Sequence, residues 1–166
     1  MNKKIAKIAM LLSISVVLAL IESFIPLFNM IPGIKLGLAN IVVVFVIYDL
    51  SIKDALYVSI LRVILIGILR TGLFSISFFF SLIGALLSVV TMYLVNKITK
   101  LSVVGVSICG AIAHSIGQII VAIIFLSNVN IVYYLPILLI SSVVTGLIVG
   151  MAAKRLLEYY DNKSIY

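Results

Sequence analysis

Few side chains in this sequence could do chemistry, and those few lie inside apolar stretches. Arg62 stands near the middle of Ala55–Leu69, where a charge costs about 2.5–3.5 kcal/mol on insertion scales. Such a residue is either structural, snorkelling or paired with a carboxylate, or a cationic group in a cavity that takes an anionic ligand. Glu22 is the first candidate for an internal partner, followed by Asp49 and Asp54. His114 is the single histidine, and Gly110, His114 and Gln118 recur at four-residue intervals, which puts them on one helical face. Beside them Ala113 and Gly117 form a small-residue ridge that lets another helix come close. On that face His114 and Gln118 either hydrogen-bond a neighbouring helix or serve a ligand or a proton, since imidazole titrates near neutrality. One histidine without an acidic or thiol cluster is a poor metal site, so no metal is expected. The lone Cys109 rules out an intrachain disulfide and reads as packing.

The elements that hold these residues are membrane helices. Of 166 residues, 64% are hydrophobic and only 10% are charged, and the mean hydropathy is +1.40. A soluble domain of this size needs more polar surface than that. Runs such as Ile41-Val42-Val43-Val44-Phe45-Val46-Ile47 do not alternate as barrel strands do, so the spans are α-helices. The net charge of +7 sits mainly at the ends of apolar runs, with no basic stripe interleaved with aromatics, which argues against nucleic acid as a partner and for the lipid bilayer. Lys3-Lys4 ahead of Ile5–Ile25 resembles a signal peptide, but the apolar stretch is long and no A-x-A site follows. It reads as the first span.

Six spans are expected in one membrane domain over residues 1–166, at about 5–25, 36–48, 55–69, 73–95, 103–126 and 132–153. With the N-terminus inside, nine Lys and Arg residues fall inside and two, Lys35 and Arg70, fall outside. That bias places both termini in the cytoplasm and requires an even number of spans. The second and third spans are short for about 30 Å of hydrocarbon, so they are expected to be buried against longer neighbours or partly re-entrant, with the irregularity at Pro32–Asn40. Ala9/Ser13, Ser15/Ala19 and Gly146/Gly150 are small-residue spacings that favour tight helix packing.

Several chemistries are missing. No G-x-x-x-x-G-K-[ST] segment is present, so the chain does not power transport by hydrolysing ATP itself. Its five acids are scattered, without the D-D-x-x-D cluster that would hold Mg²⁺ on a prenyl diphosphate. No catalytic residue and no cofactor is expected, and the chain does not read as an enzyme.

The stretch Ile31-Pro32-Gly33-Ile34-Lys35-Leu36-Gly37-Leu38-Ala39-Asn40 resembles the signature of the bacterial Gx transporter family, often labelled heptaprenyl diphosphate synthase component I. Leu61-Arg62-Val63 and the segment Gly110-Ala111-Ile112-Ala113-His114-Ser115-Ile116-Gly117-Gln118 resemble it too, and the resemblance covers about Ile5–Ala153. That family is similar to the S-components of energy-coupling factor transporters, which are six-helix substrate-binding proteins with both termini inside. The resemblance implies a separate energy-coupling transmembrane subunit and two ATPases as partners, with docking through small residues of the first helix such as Ala9, Ser13 and Ala19.

The expected function is therefore transport at the cell membrane, with a substrate site lined by Lys35, Asn40, Arg62, His114 and Gln118. Lys35 and Arg62 would neutralise an anionic group, Asn40 and Gln118 would orient it, and His114 could donate a hydrogen bond. A small anionic metabolite suits this set, a flavin or an isoprenoid diphosphate among the options. The alternatives are an accessory component of heptaprenyl diphosphate or quinone biosynthesis, and a membrane anchor for an extracytoplasmic redox protein.

Overall fold

The computed structural model describes residues 2–24 and 36–163 of the chain. They form α1 (Asn2–Ser23), α2 (Leu38–Asp49), α3 (Ile52–Ile66), α4 (Ile76–Ile98), α5 (Val103–Leu126) and α6 (Leu135–Lys163), with no strand among the described residues. Four helices are long and apolar enough to cross a membrane, over Lys3–Ser23, Ile76–Ile98, Val103–Leu126 and Val129–Asp161. Their outward faces are rich in exposed aliphatic residues, among them Ile14, Val17, Ile120, Ile124, Ile140 and Val144. Such a surface suits lipid and would be a liability in water.

The two short helices are the ones the sequence marks as short. Twelve residues of α2 rise only about 18 Å, yet the helix is apolar all round and buried all round. Val42, Val43, Val44, Val46 and Ile47 are each at most 7% exposed, as expected for a helix without a polar face. The α3 helix continues into a π-helical turn, Gly67–Thr71, which carries the chain on towards Gly72 at φ 81.

Local chemistry sets the ends. Ser51, Ser75 and Ser102 each accept a hydrogen bond from a backbone N–H three residues on, capping α3, α4 and α5. Pro136 falls in the first turn of α6, where its missing N–H costs no helical bond.

Packing closes the six helices into a ring, α1 on α3, α3 on α4, α4 on α5, α5 on α6, α6 on α2 and α2 on α1. The tightest contacts use glycine ridges. A Cβ on Gly117 would sit 2.9 Å from the Gly84 Cα, and Cβ atoms on Gly146 and Gly150 would sit 2.8 Å from the Ile108 Cα and 2.7 Å from the Val104 Cα. These are backbone-to-backbone approaches that any side chain would prevent. Of the α1 pairs, Ser15 is buried and its Oγ donates to the Ala39 carbonyl at 3.3 Å, whereas Ala9 and Ser13 are exposed.

The apolar core lies towards the end of the bundle that holds the termini, around Leu11, Val46, Val58, Val89, Met92, Val106 and Ala153. Ion pairs clip that end together. Lys4 pairs with Asp54 at 2.8 Å and Lys7 with Asp49 at 2.7 Å. The Lys7 ammonium also donates to the Tyr160 hydroxyl at 2.7 Å and lies 4.3 Å from the centroid of that ring. Asp49 and Asp54 are therefore not partners of Arg62, because the short α2–α3 turn holds them at the opposite end of the bundle.

Candidate ligand-binding site

Away from the termini the ring opens into a cavity of about 340 Å³ lined by residues from all six helices. That volume is at the lower end of the range for small-molecule sites, about 300–1,000 Å³. The site begins where α2 begins. Gly37 adopts φ 74, a left-handed conformation that favours glycine, and this turns the first N–H groups of α2 towards α1. There Glu22 accepts from the Gly37 N–H at 2.8 Å through Oε1 and from the Leu38 N–H at 2.9 Å through Oε2. Two orphan donors of a helix end are thus satisfied by one buried carboxylate.

Arg62 projects from α3 into the same space and is 7% exposed. Its Nη1 donates to Asn40 Oδ1 at 3.1 Å. Glu22 is close enough to attract it electrostatically, but no Arg62–Glu22 ion pair forms among the described residues. Most of the five N–H donors of the guanidinium have no partner among the described residues. At the mouth, Arg70 lies 5.5 Å from the centroid of the Phe24 ring, on the π-helical turn that ends α3.

From α5 the wall receives Ser107, Ala111, His114, Ser115 and Gln118. The His114 ring packs against α4 at Gly84, where three ring atoms lie within 3.0 Å of the place a Cβ would take. Gln118 is 4% exposed, and its Oε1 is sealed from solvent with no hydrogen-bond partner among the described residues. Gln118 makes no interhelical hydrogen bond among the described residues.

Four of the five residues expected at the site, Asn40, Arg62, His114 and Gln118, line this one cavity. Lys35 lies outside the described residues, as does the first part of the Pro32–Asn40 segment, residues 32–34. Glu22, expected as the Arg62 partner, instead caps α2. The polar groups the motifs do not reveal are hydroxyls. Ser77, Ser81 and Ser88 face the cavity from α4, and Ser141, Ser142 and Thr145 from α6. Ser77, Ser81 and Ser88 are spaced by four and seven residues, and Thr145 follows Ser141 by four and Ser142 by three, which puts each set on one helical side and was the available signal. Ser115 and Ser142 share a 2.6 Å hydrogen bond across the α5–α6 contact.

No group of three or more His, Cys, Asp or Glu side chains placed to hold a metal occurs among the described residues. The family model for heptaprenyl diphosphate synthase component I matches residues 11–156. The chain belongs to the heptaprenyl diphosphate synthase component I family. That match spans all the helices that line the cavity. No curated protein and no solved structure matches the chain.

Proposed function

We propose that this chain is the substrate-binding membrane subunit of a transport system, with six crossings, both termini in the cytoplasm, and a small anionic metabolite as its cargo. The observation that carries this reading is the buried guanidinium of Arg62, which lines a closed-ring cavity with Asn40 as its one hydrogen-bond partner among the described residues. Glu22 attracts that charge without bonding it, and the guanidinium donors that remain fit an anionic ligand. The lysine and arginine bias along the sequence supports cytoplasmic termini. In that orientation the cavity faces outward, where a substrate-capturing protein would collect its ligand.

The chain has no nucleotide-binding motif, so a separate coupling subunit and ATPases would drive release. The small exposed residues Ala9 and Ser13 on α1 are a fitting surface for such a subunit. The chain itself acts as a binder and not as a catalyst.

The test is mass spectrometry of the small molecule retained by gently purified protein, followed by its titration against wild type and Arg62→Ala. Hydrogen bonds to charged groups contribute about 1.5–3 kcal/mol, so the variant should bind roughly tenfold to a hundredfold more weakly while still inserting and purifying. Unchanged affinity would sink the assignment of Arg62.

The family description favours one second reading, an accessory component beside a prenyl diphosphate synthase. Co-purification separates the two. Recovery of a coupling subunit with an ATPase pair supports transport, and recovery of a prenyl synthase supports the accessory role.

A further inference from the structure

Three buried polar side chains of the cavity wall lack a hydrogen-bond partner among the described residues. Gln118 on α5 has the sealed, unpartnered Oε1. Ser88 on α4 and Ser107 on α5 are each 3% exposed and line the same space, and neither hydroxyl bonds another described residue. From Ser107 to Gln118 the wall rises about 16 Å at 1.5 Å per residue. The remaining hydroxyls of α6 behave differently, since Ser141 and Ser142 both donate to the Leu138 carbonyl. The unpartnered groups are thus confined to the α4–α5 side, with Arg62 entering from α3.

A hydrocarbon occupant would leave the Gln118 amide oxygen buried without a bond, and it would offer Ser88 and Ser107 nothing beyond the carbonyls of their own helix turns. A cavity for a prenyl tail would be lined more cheaply with alanine and leucine. Gln118 can offer an acceptor beside a donor, and a serine hydroxyl can do either.

We infer that the ligand of this cavity has an anionic group at Arg62 and a polar, hydrogen-bonding body that reaches along α5 past Gln118 towards Ser88 and Ser107. Hydroxyls, or an amide-like edge with donor and acceptor side by side, would satisfy this wall. A prenyl diphosphate has the anionic head but not the body, so it fits the α4–α5 side of this wall less well than a polar anion does. This rests on the reading of the cavity as the ligand site with Arg62 as anchor.

The test uses the full-length protein in lipid nanodiscs and reads thermal stabilisation by farnesyl diphosphate, by pyrophosphate, and by a panel of sugar phosphates, nucleoside monophosphates and hydroxylated carboxylates. A member of the polar panel should stabilise the protein more than farnesyl diphosphate does. Its affinity should fall about tenfold in Gln118→Leu and severalfold in Ser88→Ala or Ser107→Ala, the loss of one hydrogen bond in each case. Gln118→Leu without ligand should be no less stable than wild type, since it removes an unsatisfied amide. Equal or tighter binding of farnesyl diphosphate overturns the inference, and so does a panel in which nothing binds. Polar-panel binding that survives all three wall substitutions overturns it as well. Loss in Gln118→Leu with retention in Arg62→Ala would support the polar body and overturn Arg62 as the anchor, which separates the two claims.

Discussion

Gly84 and Gly117 face each other across the α4–α5 contact, yet their replacement by alanine should have different consequences. A Cβ on Gly117 would come 2.9 Å from the Gly84 Cα and 3.1 Å from its backbone nitrogen. Comfortable carbon contacts are about 3.5–4.0 Å, so roughly 0.6–1 Å must be found by moving one helix from the other. Overpacking of this kind costs about 1–3 kcal/mol, against a gain of about 0.5–1 kcal/mol for replacing glycine by alanine within a helix. The net is a loss for Gly117→Ala of up to about 2 kcal/mol. A Cβ on Gly84 would meet the His114 imidazole at 2.9 Å, and that is a side chain which can swing aside into the cavity. Gly84→Ala should therefore be close to neutral for stability, but it should disturb ligand binding by displacing His114. The assay is the fraction of monodisperse protein surviving a heating series, read beside ligand titration. Gly117→Ala as stable as wild type, or Gly84→Ala destabilised to the same degree as Gly117→Ala, would refute the claim that backbone contact at Gly84 sets the helix spacing.

The ion pairs and hydroxyl bonds give further expectations. At the start of α3, Lys4 and Ser51 hold the Asp54 carboxyl below the usual carboxylate range. Its stabilising contribution is therefore complete above the unfolded value of about 3.9 and is lost as pH falls through the lower folded value. Wild type should lose an increment of heat resistance below about pH 4 that Asp54→Asn does not lose, an increment of no more than about 1 kcal/mol because Lys4 is half exposed. Lys7→Met removes the ion pair to Asp49 and the bond to Tyr160 together. Hydrogen exchange should then rise in the last turns of α6, around Glu158–Asp161, with little change near the cavity. Ser115→Ala should cost about 0.5–1.5 kcal/mol, and adding Ser142→Ala should cost less than the sum of the singles, since they share one bond.

Much of this architecture was legible because hydropathy and lipid impose the same period on the chain. The expected fifth span, 103–126, coincides with α5, and the shortness of α2 and α3 followed from where Asp49 and Lys53 interrupt the apolar runs. The Ala113–Gly117 and Gly146–Gly150 ridges were readable as small residues on one face, and they make the closest helix approaches. Charged and strongly polar residues in apolar stretches advertise themselves, which is why Arg62, His114 and Gln118 stood out. Serines do not. A serine in a membrane helix can bond its own preceding turn, as Ser13 does to the Ala9 carbonyl, so Ser88 and Ser107 become informative only once helix packing shows what they face. Glu22 was legible as an intramembrane acid but not as a helix cap, because the cap depends on the left-handed turn at Gly37 that brings α2 back beside α1.

The cavity and its charges share one origin in the length of α2. At about 18 Å it falls well short of neighbours such as α1, whose 22 residues rise about 33 Å. The longer helices of the ring extend past its start, so the missing length becomes enclosed space with the α2 N-terminus at its floor. Backbone donors at a partly buried helix end demand an acceptor. Glu22 answers that demand with both oxygens. A carboxylate so engaged is itself a buried charge and favours a cation nearby, which Arg62 supplies without direct contact, held by Asn40 from the first turn of α2. Both oxygens of Glu22 bond the helix end, and neither bonds the guanidinium. The guanidinium donors left over are thereby directed at the cavity, and an anion is the partner they fit.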